Sequence, residues 1–221
     1  MPKVKYKEFL EKLEKAGAFN FRSVQGTVGR GYAKVFLHNL RKQGKIIELM
    51  RGWYSFRKSP YLIVIPLGEA YIGLGTAAFL HNAWDQVPNI DVLTPRAPVR
   101  IRAGERVIGG RKVLIRRIDK KMYFGYESTY IEGAGRIRVS DPEKTLIDLL
   151  YCNYPFCDEI IPRLLEKISK EKLLSYTSRV QGLRGGKKIR KAVRSWLALY
   201  KREPLTASGS TPGRSRSRQP E

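Results

Sequence analysis

The stretch that most restricts how this chain can fold is Phe19 to Phe56, FNFRSVQGTVGRGYAKVFLHNLRKQGKIIELMRGWYSF. Asn20 and Ser23 are capping residues that can start a short helix, and the Gly29-Arg30-Gly31 cluster ends it. Tyr32 to Gln43 then reads as a second helix closed by Gly44. Within it Ala33, Phe36, Leu37 and Leu40 share one face, which predicts a buried side. After Gly44 the pattern changes to Ile46-Ile47-Glu48-Leu49-Met50, an Arg51-Gly52 turn, and Trp53-Tyr54-Ser55-Phe56, a β-hairpin signature. Helix, tight turn, helix and a basic-tipped hairpin together predict a winged helix-turn-helix over residues 1–58.

A helix with one apolar side and cations on the other fits the major groove of duplex DNA, which admits one α-helix. The residues expected in the groove are Arg30, Tyr32, Lys34, His38 and Arg41. Lys42 and Lys45 are expected at phosphates, and Arg51 at the wing tip or the adjacent minor groove. The plainer alternative is a helical pair whose charged side merely faces water. Residues 1–58 carry 14 Lys and Arg against 4 Asp and Glu, the electrostatic footprint of a nucleic-acid surface.

Over the whole chain of 221 residues the formal charge is +23, which favours polyanionic partners: DNA, RNA or an acidic protein. No run approaches the length of a membrane span, and MPKVKYKEFL lacks the apolar core of a signal peptide, so no membrane partner and a cytoplasmic location are expected. Cys152 and Cys157 could be joined at a metal only by His38 and His81. The spacing matches no zinc pattern, so two core thiols are expected and neither a metal nor a cofactor is assigned; a local disulfide is the remaining alternative.

Before the organising stretch, Tyr6, Phe9, Leu10 and Leu13 place an amphipathic helix over residues 5–15. Pro60 marks a domain boundary near 58–62. Beyond it the expected class is α+β: a mixed α/β domain over 59–202 with a mostly antiparallel sheet and C-terminal helices, then a disordered basic tail over 203–221. Tyr61 to Ile65 reads as a buried strand or extended segment, and 73–81 as a helix rich in small residues, with His81 a packed or surface side chain. Strands are expected at 90–94, 99–102, 107–108, 112–118, 122–124, 129–131 and 136–139. Arg100 and Arg102 would share a sheet face. Ser140-Asp141-Pro142-Glu143 is a helix start. A chemical alternative makes Asp141, Glu143, Lys144 and Asp148 a divalent-metal cluster, and the chain a nuclease delivered to DNA by the winged helix. Helices at 157–168, 171–180 and 187–201 complete the domain. The last exposes Lys187, Lys188, Arg190, Lys191 and Arg194, a candidate face for DNA or an acidic partner.

The combination of RGWYSF in the hairpin, GLGTAAFLHNAW in the small-residue helix and DPEKTLIDLL after the strands resembles the AbiEi-type antitoxins of abortive-infection, type IV toxin-antitoxin systems. The resemblance covers most of residues 5–200. It implies a DNA-binding transcriptional repressor of its own operon and an antitoxin that counters a nucleotidyltransferase toxin, with no catalytic residues. A palindromic operator would call for a homodimer, though no heptad seam is visible.

Overall fold

A computed structural model describes residues 6–96 and 103–200. The strand expected at 99–102, with Arg100 and Arg102, and the tail at 203–221 lie outside the described residues. Among the described residues the chain is mixed α+β, with nine α-helices and two sheets.

The N-terminal part runs α1 (Lys7–Lys15), β1 (Phe19–Asn20), α2 (Phe21–Val28), α3 (Arg30–Lys42), β2 (Ile47–Met50) and β3 (Trp53–Ser55). Asn20 caps α2 by accepting from the Ser23 N–H at 2.9 Å. Gly29, at φ +82°, turns the chain between α2 and α3 in a conformation that L-residues avoid. The three strands form an antiparallel sheet in the order β1-β3-β2, with an irregularity in register between Glu48 and Met50. Ala33, Phe36, Leu37 and Leu40 from α3 join Leu13, Phe19, Val24 and Ile46 in a small core.

The hairpin is apolar on both sides. Ile46, Tyr54 and Phe56 face the helical core. Ile47, Leu49, Met50 and Trp53 pack instead into a second cluster with Leu62, Ile63, Ile108 and Val113. Arg57 donates to the Ala134 carbonyl at 3.1 Å, so the boundary expected near residue 58 is a packed seam. The run Tyr61 to Ile65 is helical rather than extended, with a 3-10 turn at Pro60–Ile63 leading into α4 (Val64–Leu67). Burial on several sides leaves such a run no periodicity by which strand and helix differ, and Pro60 suits a helical first turn.

The larger sheet comprises β4 (Tyr71–Ile72), β5 (Ile90–Thr94), β6 (Gly104–Ile108), β7 (Arg111–Arg117), β8 (Tyr126–Ile131) and β9 (Gly135–Ser140). Its order is β6-β7-β5-β4-β9-β8. Three of the five neighbouring pairs are antiparallel, in line with the mostly antiparallel sheet expected, while β5–β7 and β4–β9 are parallel, so the sheet is mixed. Met122 to Phe124 is no strand: Asp119 caps a 3-10 turn there. One face carries Ile72, Ile90, Val92, Val113, Ile115 and Val139 against the hairpin and α4. The other supports α5 (Leu74–Leu80), α6 (Pro142–Tyr151), α7 (Cys157–Leu165), α8 (Lys170–Arg179) and α9 (Gly186–Tyr200).

Small residues in α5 are there for close approach. A Cβ at Gly75 would lie 2.7 Å from the Trp84 ring and overlap the Tyr154 hydroxyl. Beneath α6 sits a fully buried ion pair, Lys144 with Asp148, one helical turn apart. Lys144 also reaches the Tyr71 hydroxyl at 2.7 Å, and that hydroxyl donates to Asp148 at 3.0 Å. The triad joins the central strand β4 to α6. Removing one partner strands the rest in a low-dielectric interior, so Lys144→Met should cost about 3–5 kcal/mol in urea unfolding. Adding Asp148→Leu and Tyr71→Phe should recover most of that loss. Gly75→Ala should cost about 1–3 kcal/mol in the same measurement, through overpacking.

Candidate nucleic-acid interface

Because α3 turns Ala33, Phe36, Leu37 and Leu40 inward, its helical period turns Arg30, Lys34, His38 and Lys42 outward. All four are exposed. Arg41 is exposed on the same side, but its guanidinium is 2.7 Å from Glu48 on β2, so part of its charge is spent on the hairpin. Arg51 is exposed at the hairpin tip, and the Phe21 N–H donates to the Gly52 carbonyl at 2.8 Å, tying that tip to the start of α2. Arg30, Lys34, His38, Arg41, Lys42 and Arg51 thus belong to one accessible surface.

Tyr32 and Lys45 do not join that row. Tyr32 stacks on Tyr6 and lies tilted against Phe36, with ring centroids 6.2 and 6.1 Å away. Both residues line a groove of about 1090 Å³ between α1, α3 and the end of the hairpin, together with Leu10, Phe36 and Phe56. The reason is angular: position 32 falls on the flank of α3 nearer α1, whereas 30, 34 and 41 fall on the other. Sequence reasoning also passed over Val35, which is 53% exposed between Lys34 and Phe36. The signal was available, since a valine opposite the buried stripe breaks the amphipathic pattern. An exposed methyl-bearing side chain on such a face can meet a thymine methyl.

The acidic residues near α6 are held by structural partners. Asp141 caps α6, accepting from the Lys144 N–H at 2.7 Å, and also accepts from Tyr176 at 2.9 Å. Burial pushes its carboxyl upward against these donors. Burial would raise Glu143 too, but the Ser169 N–H at 2.8 Å and Lys172 at 3.0 Å hold it below the usual range. Asp148 has no exposed surface. Among the described residues no three His, Cys, Asp or Glu side chains converge as a metal ligand set. His81 is a packed residue, its Nε2 2.7 Å from the Ser140 carbonyl. Cys152 and Cys157 are free thiols, and burial pushes Cys152 up to about 12.

Of the cations expected on the last helix, Lys187, Lys188, Lys191 and Arg194 are exposed on α9 and Arg190 is half-buried. Lys188 is set apart by turning toward Asn153, to which it donates at 3.3 Å.

No protein-family model matches the chain, and no curated protein matches it. Among solved structures it is similar to the crystal structure of the RV2827C protein from Mycobacterium tuberculosis. The identity is 14%, the TM-score 0.56, and the match covers 92% of this chain and 83% of that one. Such a likeness speaks for a shared fold.

One further acid has a pH signature. Asp91, on β5, is 1% exposed and pairs with Arg116 at 3.4 Å, yet burial raises its carboxyl to about 6. The folded state therefore holds a proton that the unfolded chain has released, between pH near 4 and near 6. Stability falls across that window as pH rises, and the contribution is lost above it. Asp91→Asn should match the parent near pH 4 and exceed it above pH 6, by on the order of 2 kcal/mol, as read by urea unfolding at stepped pH.

Proposed function

We propose that the N-terminal unit is a winged helix-turn-helix and that the chain is a sequence-specific, duplex-DNA-binding transcriptional regulator. The observation that carries this reading is the α3 surface. Four apolar side chains hold the helix on its core while Arg30, Lys34, Val35, His38 and Lys42 stand exposed along it, beside exposed Arg51 on the hairpin tip. A convex ridge of that kind can lie in a major groove, with the hairpin turn reaching the flanking backbone. The hairpin's docking on the second part of the molecule gives the ridge a fixed orientation.

The resemblance to AbiEi-type antitoxins extends the proposal: repression of its own operon, and an antitoxin role against a nucleotidyltransferase toxin, in a cytoplasmic protein without catalytic residues of its own. The nuclease alternative draws little support from the geometry, since Asp141 and Glu143 are engaged by Lys172, Tyr176 and the Ser169 N–H while Lys144 and Asp148 are wholly buried.

Fluorescence anisotropy of the full chain with duplex from upstream of its own reading frame tests the DNA reading. Lys34→Ala should cost about 1–3 kcal/mol on the preferred sequence and relax the preference. Lys42→Ala should weaken all duplexes alike and lower the salt slope by about 1. Binding indifferent to both sequence and salt would overturn the reading.

A further inference from the structure

On the opposite side of the larger sheet from the hairpin, four cations surround one cavity. Arg116 and Arg117 come from the end of β7, Arg184 from the turn before α9, and Lys188 from the first turn of α9. The cavity is about 460 Å³, within the range of small-molecule sites, and no acidic residue lines it. Over residues 59–182 as a whole the cations are nearly matched, 18 Lys and Arg against 14 Asp and Glu. Arg163 pairs with Asp85, Lys112 with Glu105, and Lys172 with three carboxylates. Among the described residues Arg117 and Arg184 have no such partner, and only Arg116 shares its charge, with buried Asp91. Like charges gathered around a concavity repel one another and focus a positive potential into it. An anion seated there relieves that repulsion.

The cavity does not end at the cations. A smaller recess of about 240 Å³ adjoins it and shares Leu150, Asn153, Lys188 and Ile189 with it. Its further walls include Tyr154 and Ala192. Lys188, bonded to Asn153, stands at the seam between the charged and the apolar compartments. A charged head and an uncharged, largely apolar body are therefore accommodated side by side.

We propose that this double cavity binds a nucleoside phosphate, its phosphates among Arg116, Arg117, Arg184 and Lys188 and its base in the recess against Leu150, Tyr154 and Ile189. Arginine suits the task because its planar fork of donors matches phosphate oxygens two at a time. Lys188 supplies a point charge where head meets body. The site lies apart from the α3 ridge, so the proposal does not depend on the DNA reading.

Isothermal titration of the full chain with ADP, GDP, CDP and UDP, and separately with pyrophosphate and adenosine, tests it. At least one nucleoside diphosphate should bind more tightly than pyrophosphate, and adenosine should bind far more weakly than either. Arg117→Glu with Arg184→Glu should weaken that nucleotide by tenfold or more, and Lys188→Gln in the same direction by less, roughly as expected for lost charge-assisted contacts. The surface control Lys12→Glu with Lys15→Glu, on α1, should leave affinity within about twofold. Apo melting curves that superimpose show that the variants are folded. No heat and no melting shift with any of the four nucleotides at millimolar concentration overturns the proposal, as does equal weakening in the control pair. It is overturned too if a short duplex displaces the nucleotide and the Arg117 and Arg184 reversals weaken duplex binding to the same extent, since the cavity then belongs to a nucleic-acid surface.

Discussion

The hairpin of β2 and β3 is wedged between two cores, and the geometry of the molecule depends on that. Residues at alternate positions serve opposite masters: Ile46 and Tyr54 complete the helical core, while Ile47, Leu49 and Trp53 are committed to the cluster that covers the larger sheet. Strand periodicity makes this division unavoidable, because successive side chains leave a strand on opposite faces. A slip of one residue would present each core with the other's side chains and put Glu48 into the second cluster, away from Arg41. Register in these few residues therefore orients α3 relative to everything that follows.

The second half answers a different constraint, the cost of burying charge. Lys144 and Asp148 are driven toward their neutral forms by burial, each opposed by the other. Neither would survive alone in that interior. Their joint link to the Tyr71 hydroxyl gives a two-residue strand, too short to hold much ladder, a side-chain tie to the helix behind it. The same logic covers Asp91 and Arg116 one strand away, where a half-exposed guanidinium lets the pair lean toward solvent. Such pairs add little net stability over apolar packing, but they penalise alternative arrangements that separate them.

Much of this was legible locally. The Asn20 cap, the break at Gly29, the buried face of α3, the Arg51-Gly52 turn and the Asp141-Pro142 start are each decided by a few adjacent residues and found where local chemistry puts them, although α3 starts at Arg30 rather than Tyr32 and takes in Gly31. What escaped was decided at a distance. The pairing of β5 with β7 and of β4 with β9 is a matter of partners far along the chain, and nothing within Tyr71-Ile72 announces a central strand. Lys144 reads as a surface lysine in any window, because its counter-charge lies one turn on but its burial is imposed by Tyr71, seventy-three residues earlier. Which flank of α3 is covered by α1, and so what Tyr32 packs against, was decided by packing, and the cation cavity by the meeting of β7 and α9.

Charge alone would have treated these surfaces as one. Part of the positive charge behind the chain's +23 stands on the exposed ridge of α3 and part around the concave cleft beside α9, and the two differ in shape. A ridge offers cations to a partner that wraps around it, as groove walls and regularly spaced phosphates do. A cleft whose walls carry Leu150 and Ile189 beside its cations offers a charged wall and an apolar one to a short, highly charged end attached to something small. Sign of charge selects polyanions and phosphates as a class. Under the two proposals curvature divides that class between the surfaces, and curvature is a property the fold confers, since the four cations around the cleft come from three separate elements of the chain.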